Sequence, residues 1–340
     1  MESAPKVLPT SKELQPIKVI EKFHDSTYFG FLSWMTATDD HIFISDHHEN
    51  HILMLDHDLS FIRTLGRKGR GPGELNGPNF LATTEDELWI ENAGNRRFEI
   101  FSLSGTYQRS WIPPQQPGGF GIDGPFAVDK QGNFWVCNRY GEEPLVQISS
   151  LTQMVHRFPT QPARDEQFFR SGGLFLSSSN HLLLVKGMDG KLEKYNLDGR
   201  LLESMDLSFI PSVRRVLNHV LHNLKKESYG GELEVFASIL APVAYFKNQL
   251  FIWSANLPEE DIFTDKEGRQ NDLFVFEVHP KLTLKQHFVL QMSDPDDVAQ
   301  PTVQAACVFS HRQKTYVLVS SYNTELLYLY ELPQTLPLSK

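Results

Sequence analysis

The chain has little cysteine, no long apolar run and a deficit of positive charge, and each shortage closes off a class of function. Two cysteines in 340 residues, Cys137 and Cys307, are too few for a disulfide framework or a thiolate metal cage, and they leave the redox compartment open. No stretch approaches the roughly 20 apolar residues of a membrane span, and the opening MESAPKVLPTSKELQP has no hydrophobic signal core. A polar start with Pro and Ser also suits a chain cut just after a signal or lipoprotein segment. The formal net charge is -10, which argues against general binding to nucleic acid or an anionic membrane. Any basic site must therefore be local. There is no G-x-S-x-G elbow, P-loop, H-E-x-x-H pair or cysteine nucleophile setting.

What the chain does have is a repeat. Short apolar or alternating stretches bounded by Gly, Asn, Asp and Pro recur throughout, which is the strand-and-turn pattern rather than the helical one. They come in fours, as in FLSWMTAT, HIFISD, HILMLD and FIRTLG, then PNFLATT, ELWIEN, RFEIFSL and TYQRSW. First strands begin near Phe31, Pro78, Pro125, Ser171, Ala241 and Thr302, a period of about 47 that two insertions lengthen. The sixth set has only three strands, and PIKVIEKF near the N-terminus supplies a fourth. The pattern predicts an all-β fold, a six-bladed β-propeller with four-stranded blades, in which residues 16–23 close the last blade so that no edge is left open. A pair of β-sandwiches would explain neither the period nor the orphan strand at each end. The expected organisation is a flexible segment over 1–15, one propeller domain over 16–333 and a tail over 334–340. Cys137 and Cys307 fall in blades three and six, too far apart for a disulfide, and both are expected to stay free.

One helix interrupts the strands. PSVRRVLNHVLHNLKKESYGG places Val213, Val216, Leu217, Val220, Leu221 and Leu224 three and four apart, with Pro211 at its start and Gly230 past its end. This predicts an amphipathic helix over about 211–228. Its stripe either docks on blades four and five or serves as a lid.

The junction between the first two sets, GRKGRGPGEL, concentrates four glycines and three cations. Gly66, Gly69, Gly71 and Gly73 are expected to supply positive φ, with Pro72 fixing one φ between them. Around it Asp46, Asn50, Ile52, Gly66, Gly69, Gly71, Pro72, Gly73, Glu74, Leu75 and Pro78 fall on the NHL repeat pattern, which this segment resembles. His51 stands where that family usually has Arg, and Leu75 where it often has Phe. The second blade keeps Asn95 and Arg96 or Arg97, with one extra residue in the turn and Glu91 in place of Asp. Later blades keep only the strand pattern. The whole resembles the NHL-like or TolB-like six-bladed propellers of bacterial, often Bacteroidetes, secreted and lipid-anchored proteins. The resemblance implies a monomeric binding or interaction propeller in an extracytoplasmic setting. In that pattern the Asp at position 46 often bonds turn backbone.

Propeller topology puts the crossovers between blades and the turns between second and third strands on one face, where this chain has its long loops; recognition residues usually sit on such loops. The candidate ligand residues are the loop cations Arg67, Lys68 and Arg70, together with Arg97, Trp253 and the residues near the ends of second strands. These are Asp46, Glu91 or Asn92, Asn138, Arg139, Lys186, Ser254, and Ser321 or Tyr322. Two acids among several bases and amides suit a polar ligand funnel better than a divalent cation site, which needs several oxygen ligands. His41, His47, His48, His51 and His57 crowd blade one, but strand alternation splays them, so no metal and no cofactor is expected. The expected ligand is a peptide, glycan or partner protein. A propeller hydrolase or lyase with a site at the channel mouth is the alternative.

Overall fold

The computed structural model describes residues 8–23, 29–114, 125–137, 145–149, 151, 154–158, 172–187, 189–218, 241–256, 270–292, 303–321 and 326–333. These residues form six antiparallel sheets, the blades of a β-propeller, with one helix. The chain divides into two compact units, Met1–Glu13 with Thr160–Gln300, and Leu14–Pro159 with Pro301–Lys340.

The second of these units holds four blades. Blade one is Leu32–Ala37, Ile42–Asp46, His51–Leu55 and Phe61–Leu65; blade two is Pro78–Thr83, Glu87–Asn92, Arg97–Ser102 and Tyr107–Trp111. Blade three is Phe126–Val128, Asn133–Cys137, Leu145–Ser149 and Val155–Phe158. Blade six takes Val303–His311, Lys314–Ser321 and Leu327–Leu332 from the C-terminal part and Lys18–Ile20 from the N-terminal part. The closing strand is thus real but shorter than 16–23. Its register sets Lys18 opposite Leu329 and Ile20 opposite Leu327, and the Ile17 amide also donates to the Leu329 carbonyl at 2.8 Å.

Alternation explains why the inner strands read as nearly unbroken apolar runs. In blade one, Ile42, Ile44, Leu53 and Leu55 pack with Ala305, Cys307, Phe309 and Leu318 of blade six. Phe43, Ile52 and Met54 point the other way, onto Leu81, Leu88, Ile90 and Phe101 of blade two. Both faces of a middle blade are buried, so successive residues must all be apolar. Blades two and three meet through aromatic rings, Phe98, Trp111, Phe126 and Phe134, with Phe98 and Phe134 centroids 4.8 Å apart.

The first unit holds blades four and five. Blade four is Gly172–Leu176, His181–Lys186, Lys191–Asn196 and Leu201–Asp206, and blade five is Ala241–Phe246, Gln249–Asn256, Gln270–Glu277 and Thr283–Leu290. Blade five gains a fifth strand, Lys12–Leu14, beside Thr283–Leu290. Residues 12–14 are therefore not the flexible lead-in that their polarity suggests. The helix is described over 211–218. There Val213, Val216 and Leu217 join Leu183, Leu192, Ile252, Phe274 and Phe276 in one core, so its stripe docks on blades four and five. The remainder of the predicted helix, to 228, lies outside the described residues. Cys307 is a free, buried thiol whose ionisation burial opposes; the Cys137 side chain lies outside the described residues.

Ring closure through Lys18–Ile20 can be tested directly. Ile20 is buried among blade one and blade six residues, so Ile20→Ala should cost about 2–4 kcal/mol and lower the thermal midpoint. Removing residues 1–24 should lower it further. An unchanged midpoint in either variant would contradict the closure.

Candidate functional site

The crossover from blade one to blade two, residues 66–77, is an irregular segment with few ladder partners for its backbone. Lys68 and Leu75 form an isolated parallel bridge, through Gly69 N to Leu75 O at 2.9 Å and Leu75 N to Arg67 O at 2.8 Å. The Glu74 amide donates to the Gly71 carbonyl at 3.1 Å and the Asn76 carbonyl accepts from the Gly94 amide at 2.9 Å, and side chains bond several of the other groups. The Glu74 carboxylate folds back over its own loop, accepting from the Gly71 amide at 2.8 Å and from Arg67 Nε at 3.0 Å. The Gly71 amide first, then Arg67, holds its carboxyl below the usual carboxylate range.

Blade two clamps the loop from below. Asn92 Nδ2 donates to the Glu74 carbonyl at 2.8 Å, and its Oδ1 accepts from the Asn76 amide at 2.8 Å. Asn95 Nδ2 donates to the Gly69 carbonyl at 2.9 Å. Arg97 donates to the Arg70 carbonyl at 3.0 Å and to the Gly71 carbonyl. Beneath lies Glu99, fully buried, which pairs with Arg97 and accepts from Ser110 Oγ at 2.7 Å and from the Gly73 amide at 3.2 Å.

The glycines are needed for two different reasons. Gly66 and Gly73 have φ of +75° and +73°, where a Cβ is costly. Gly69 and Gly71 do not share that conformation, contrary to the expectation from sequence. At Gly69 a Cβ would overlap the Glu74 carboxylate, and at Gly71 it would come within 3.0 Å of it.

Several of the candidate ligand residues are buried and bonded within the fold. Asp46 is fully buried, accepting from the Gly30 amide at 2.8 Å and the Glu49 amide at 3.1 Å. Glu91 is equally buried and accepts from the Phe80 amide at 3.3 Å. Arg97 is spent on the loop carbonyls and Glu99. In the other unit, Lys186 is buried and paired with Glu193 at 3.0 Å, and Trp253 donates to Asn271 Oδ1 at 3.1 Å. Ser254 is fully buried too. The funnel read from second-strand ends is, at these positions, interior rather than lining; desolvation there demands the partners just named. Asn138, Arg139 and Tyr322 lie outside the described residues, as do most of the long loops after blades two, three and five and within blade five.

The loop cations stand apart from this interior. Arg67, Lys68 and Arg70 are exposed, and so is Arg96 in the adjoining blade-two turn. Arg67 pairs with Glu74 at 2.9 Å; Lys68, Arg70 and Arg96 have no side-chain partner among the described residues. Among the blade-one histidines, His47 lies beside His48, ring centroids 6.1 Å apart, and its Nδ1 contacts the Pro78 carbonyl at 3.2 Å, whereas His57 Nε2 reaches the Thr38 carbonyl at 3.0 Å at the other end of the blade. Among the described residues no three His, Cys, Asp or Glu side chains converge as a metal site.

Sequence reasoning missed the buried carboxylates of third strands: Glu99 in RFEIF, Glu193 in KLEKY and Asp272 in QNDLF. Each is the third residue of its strand and has its own partner, Arg97, Lys186 and His287 respectively, the last at 2.9 Å. The signal was an acid inside an inner strand, a position that is seldom charged unless paired.

No protein-family profile matches the chain, and no curated protein matches it significantly. Solved structures do. A putative exported protein from Bacteroides fragilis aligns over 94% of this chain and 95% of its own, at 9% identity and a TM-score of 0.60. A member of the DUF4221 family from Bacteroides vulgatus aligns over 94% and 97%, at 10% identity and 0.56. A streptogramin B lyase aligns over 94% and 88%, at 11% identity and 0.51. At such identities the likeness is one of fold.

Two expectations follow. Gly69→Ala and Gly73→Val should each destabilise the protein by about 1–3 kcal/mol, through the Glu74 overlap in one and positive φ with Tyr107 close by in the other; thermal unfolding measures both. The second concerns acid. Burial lowers the pKa of His51, His57 and His181 below the usual 6.5. The folded state therefore takes up their protons less readily than the unfolded chain. The stability they contribute is complete above about pH 6.5 and is lost as pH falls below it. Midpoints measured from pH 7.5 to 5.5 should decline, and His57→Gln should flatten the decline.

Proposed function

We propose that this chain is a binding propeller of NHL-like type, working outside the cytoplasm and recognising a polar, anionic ligand on its crossover face. One observation carries the reading: a loop braced by Glu74, Asn92, Asn95, Arg97 and Glu99 displays Lys68 and Arg70 to solvent without an ion-pair partner among the described residues. Rigidity matters because a ligand met by a preformed loop need not supply the entropy of ordering it. Arg67, tied to Glu74 yet exposed, joins the rim of such a site.

The extracytoplasmic setting is supported by the resemblance of the first junction and by the fold shared with a putative exported Bacteroides protein. No described helix is long and apolar enough to cross a membrane. A lyase reading has in its favour the fold shared with a streptogramin B lyase, and fold alone does not carry chemistry.

The test is a screen of the purified protein against arrays of glycans and peptides. Binding to acidic members should weaken with added salt, because exposed charge pairs are screened over about 8 Å at physiological ionic strength. It should fall in the Arg67→Ser, Lys68→Ser, Arg70→Ser triple variant while the thermal midpoint stays in place, since exposed charges rarely contribute more than about 1 kcal/mol to stability. A ligand bound equally well by that variant, or one that the protein cleaves, would overturn the reading.

A further inference from the structure

We infer that Lys68, Arg70 and Arg96 together form a site for a phosphate dianion, such as a phosphomonoester carried by a small molecule, sugar or peptide. The inference rests on the binding reading above and names the group that the loop recognises. Lys68 and Arg70 come from the crossover, and Arg96 comes from the blade-two turn, so neither segment shows the cluster by itself. The structure joins them through the two residues that flank Arg96: Asn95 bonds the Gly69 carbonyl at 2.9 Å, and Arg97 bonds the Arg70 carbonyl at 3.0 Å. Arg96 is thereby set against the backbone that bears the other two cations.

Arg96 caps the short 3-10 turn Ala93–Asn95, its amide donating to the Ala93 carbonyl at 3.1 Å. Arg96 has φ of +52°, a left-handed conformation that Gly or Asn adopts at lower cost. A long cationic side chain stands there, exposed and without a partner among the described residues. Gathering like charges costs stability, and in a chain of net charge -10 counter-charges are plentiful elsewhere.

The class of anion follows from the donors. Two guanidinium forks and an ammonium offer planar pairs of N–H groups and a mobile third donor, a set that matches the several oxygens of a phosphate. Three cations on exposed side chains would hold a single carboxylate weakly, because each exposed pair contributes little. A dianion that engages all three at once gains most. A long nucleic acid backbone is disfavoured by the acidic remainder of the surface.

The experiment uses the full chain with inorganic phosphate, sulfate and acetate as probes, followed by isotope-edited NMR and calorimetry. Phosphate should bind saturably, shifting amides in 66–71 and 94–97. Its affinity should rise with pH through about 6, where the second proton leaves, and fall with salt. Arg96→Ser and Arg70→Ser should each weaken it about tenfold, the loss of one charge-assisted contact, and the Lys68→Ser, Arg70→Ser, Arg96→Ser variant should abolish it with an unchanged or raised thermal midpoint. Absence of saturable phosphate binding, or binding that survives the triple variant, would overturn the inference, as would acetate or sulfate binding equally well. If array ligands without phosphate are still lost in the loop variants while phosphate never binds, the phosphate assignment falls and the binding reading stands.

Discussion

A crossover between propeller blades takes backbone out of the ladder, and in this protein the fully buried carboxylate of Glu99 is where the resulting debt is settled. It receives the Gly73 amide directly and orients Arg97, which caps the Arg70 and Gly71 carbonyls. An ionised carboxylate without partners could not remain in such a place; the cost of desolvation would be several kcal/mol. Arg97, Ser110, Asn92 and one amide together make its burial tolerable. Because Arg97 and Asn92 also bond the loop, the arrangement couples blade packing to loop shape. Disturbing Glu99 would release both.

The same device recurs with different partners. Glu193 pairs with Lys186 in blade four and Asp272 with His287 in blade five, while Asp46 in blade one serves two amides. A buried charge with one geometrically defined partner fixes register more than it adds stability. That suits sheets whose inner strands are apolar on both faces, where a one-residue slip would expose no hydrophobic group and so would meet little hydrophobic resistance. The interior charges are thus committed to register and turns, while the loop cations face solvent.

Period and alternation made the propeller legible, because blades buried on both faces must repeat strand, turn and strand at fixed spacing. The closing strand was legible from arithmetic, three strands at one end and an orphan at the other. Residues 12–14 were not, since the exposed Lys12 and Glu13 give an edge strand no apolar signature. At the site, the glycines announced the loop but not their reasons. Gly69 and Gly71 are small because Glu74 returns over them, a contact between residues five and three apart that no propensity encodes. Second-strand ends looked like a funnel because polarity was visible and burial was not. Asp46 and Lys186 are polar for the sake of partners some distance along the chain or across a hairpin. Arg96 was visible only as one of two alternatives for a motif position; what separates it from Arg97 is the direction of a tight turn.

That separation carries the last step. Adjacent arginines in a turn with φ of +52° at the first of them take different environments. Arg97 turns down onto Glu99 and the loop carbonyls, half-shielded, and becomes architecture. Arg96 remains in solvent, as do Lys68 and Arg70. A propeller junction that needed only closure would be complete with Arg97, Asn92, Asn95 and Glu74. The side chains of Lys68, Arg70 and Arg96 make none of the bonds that close it. The proposed phosphate site gives them a use that closure does not.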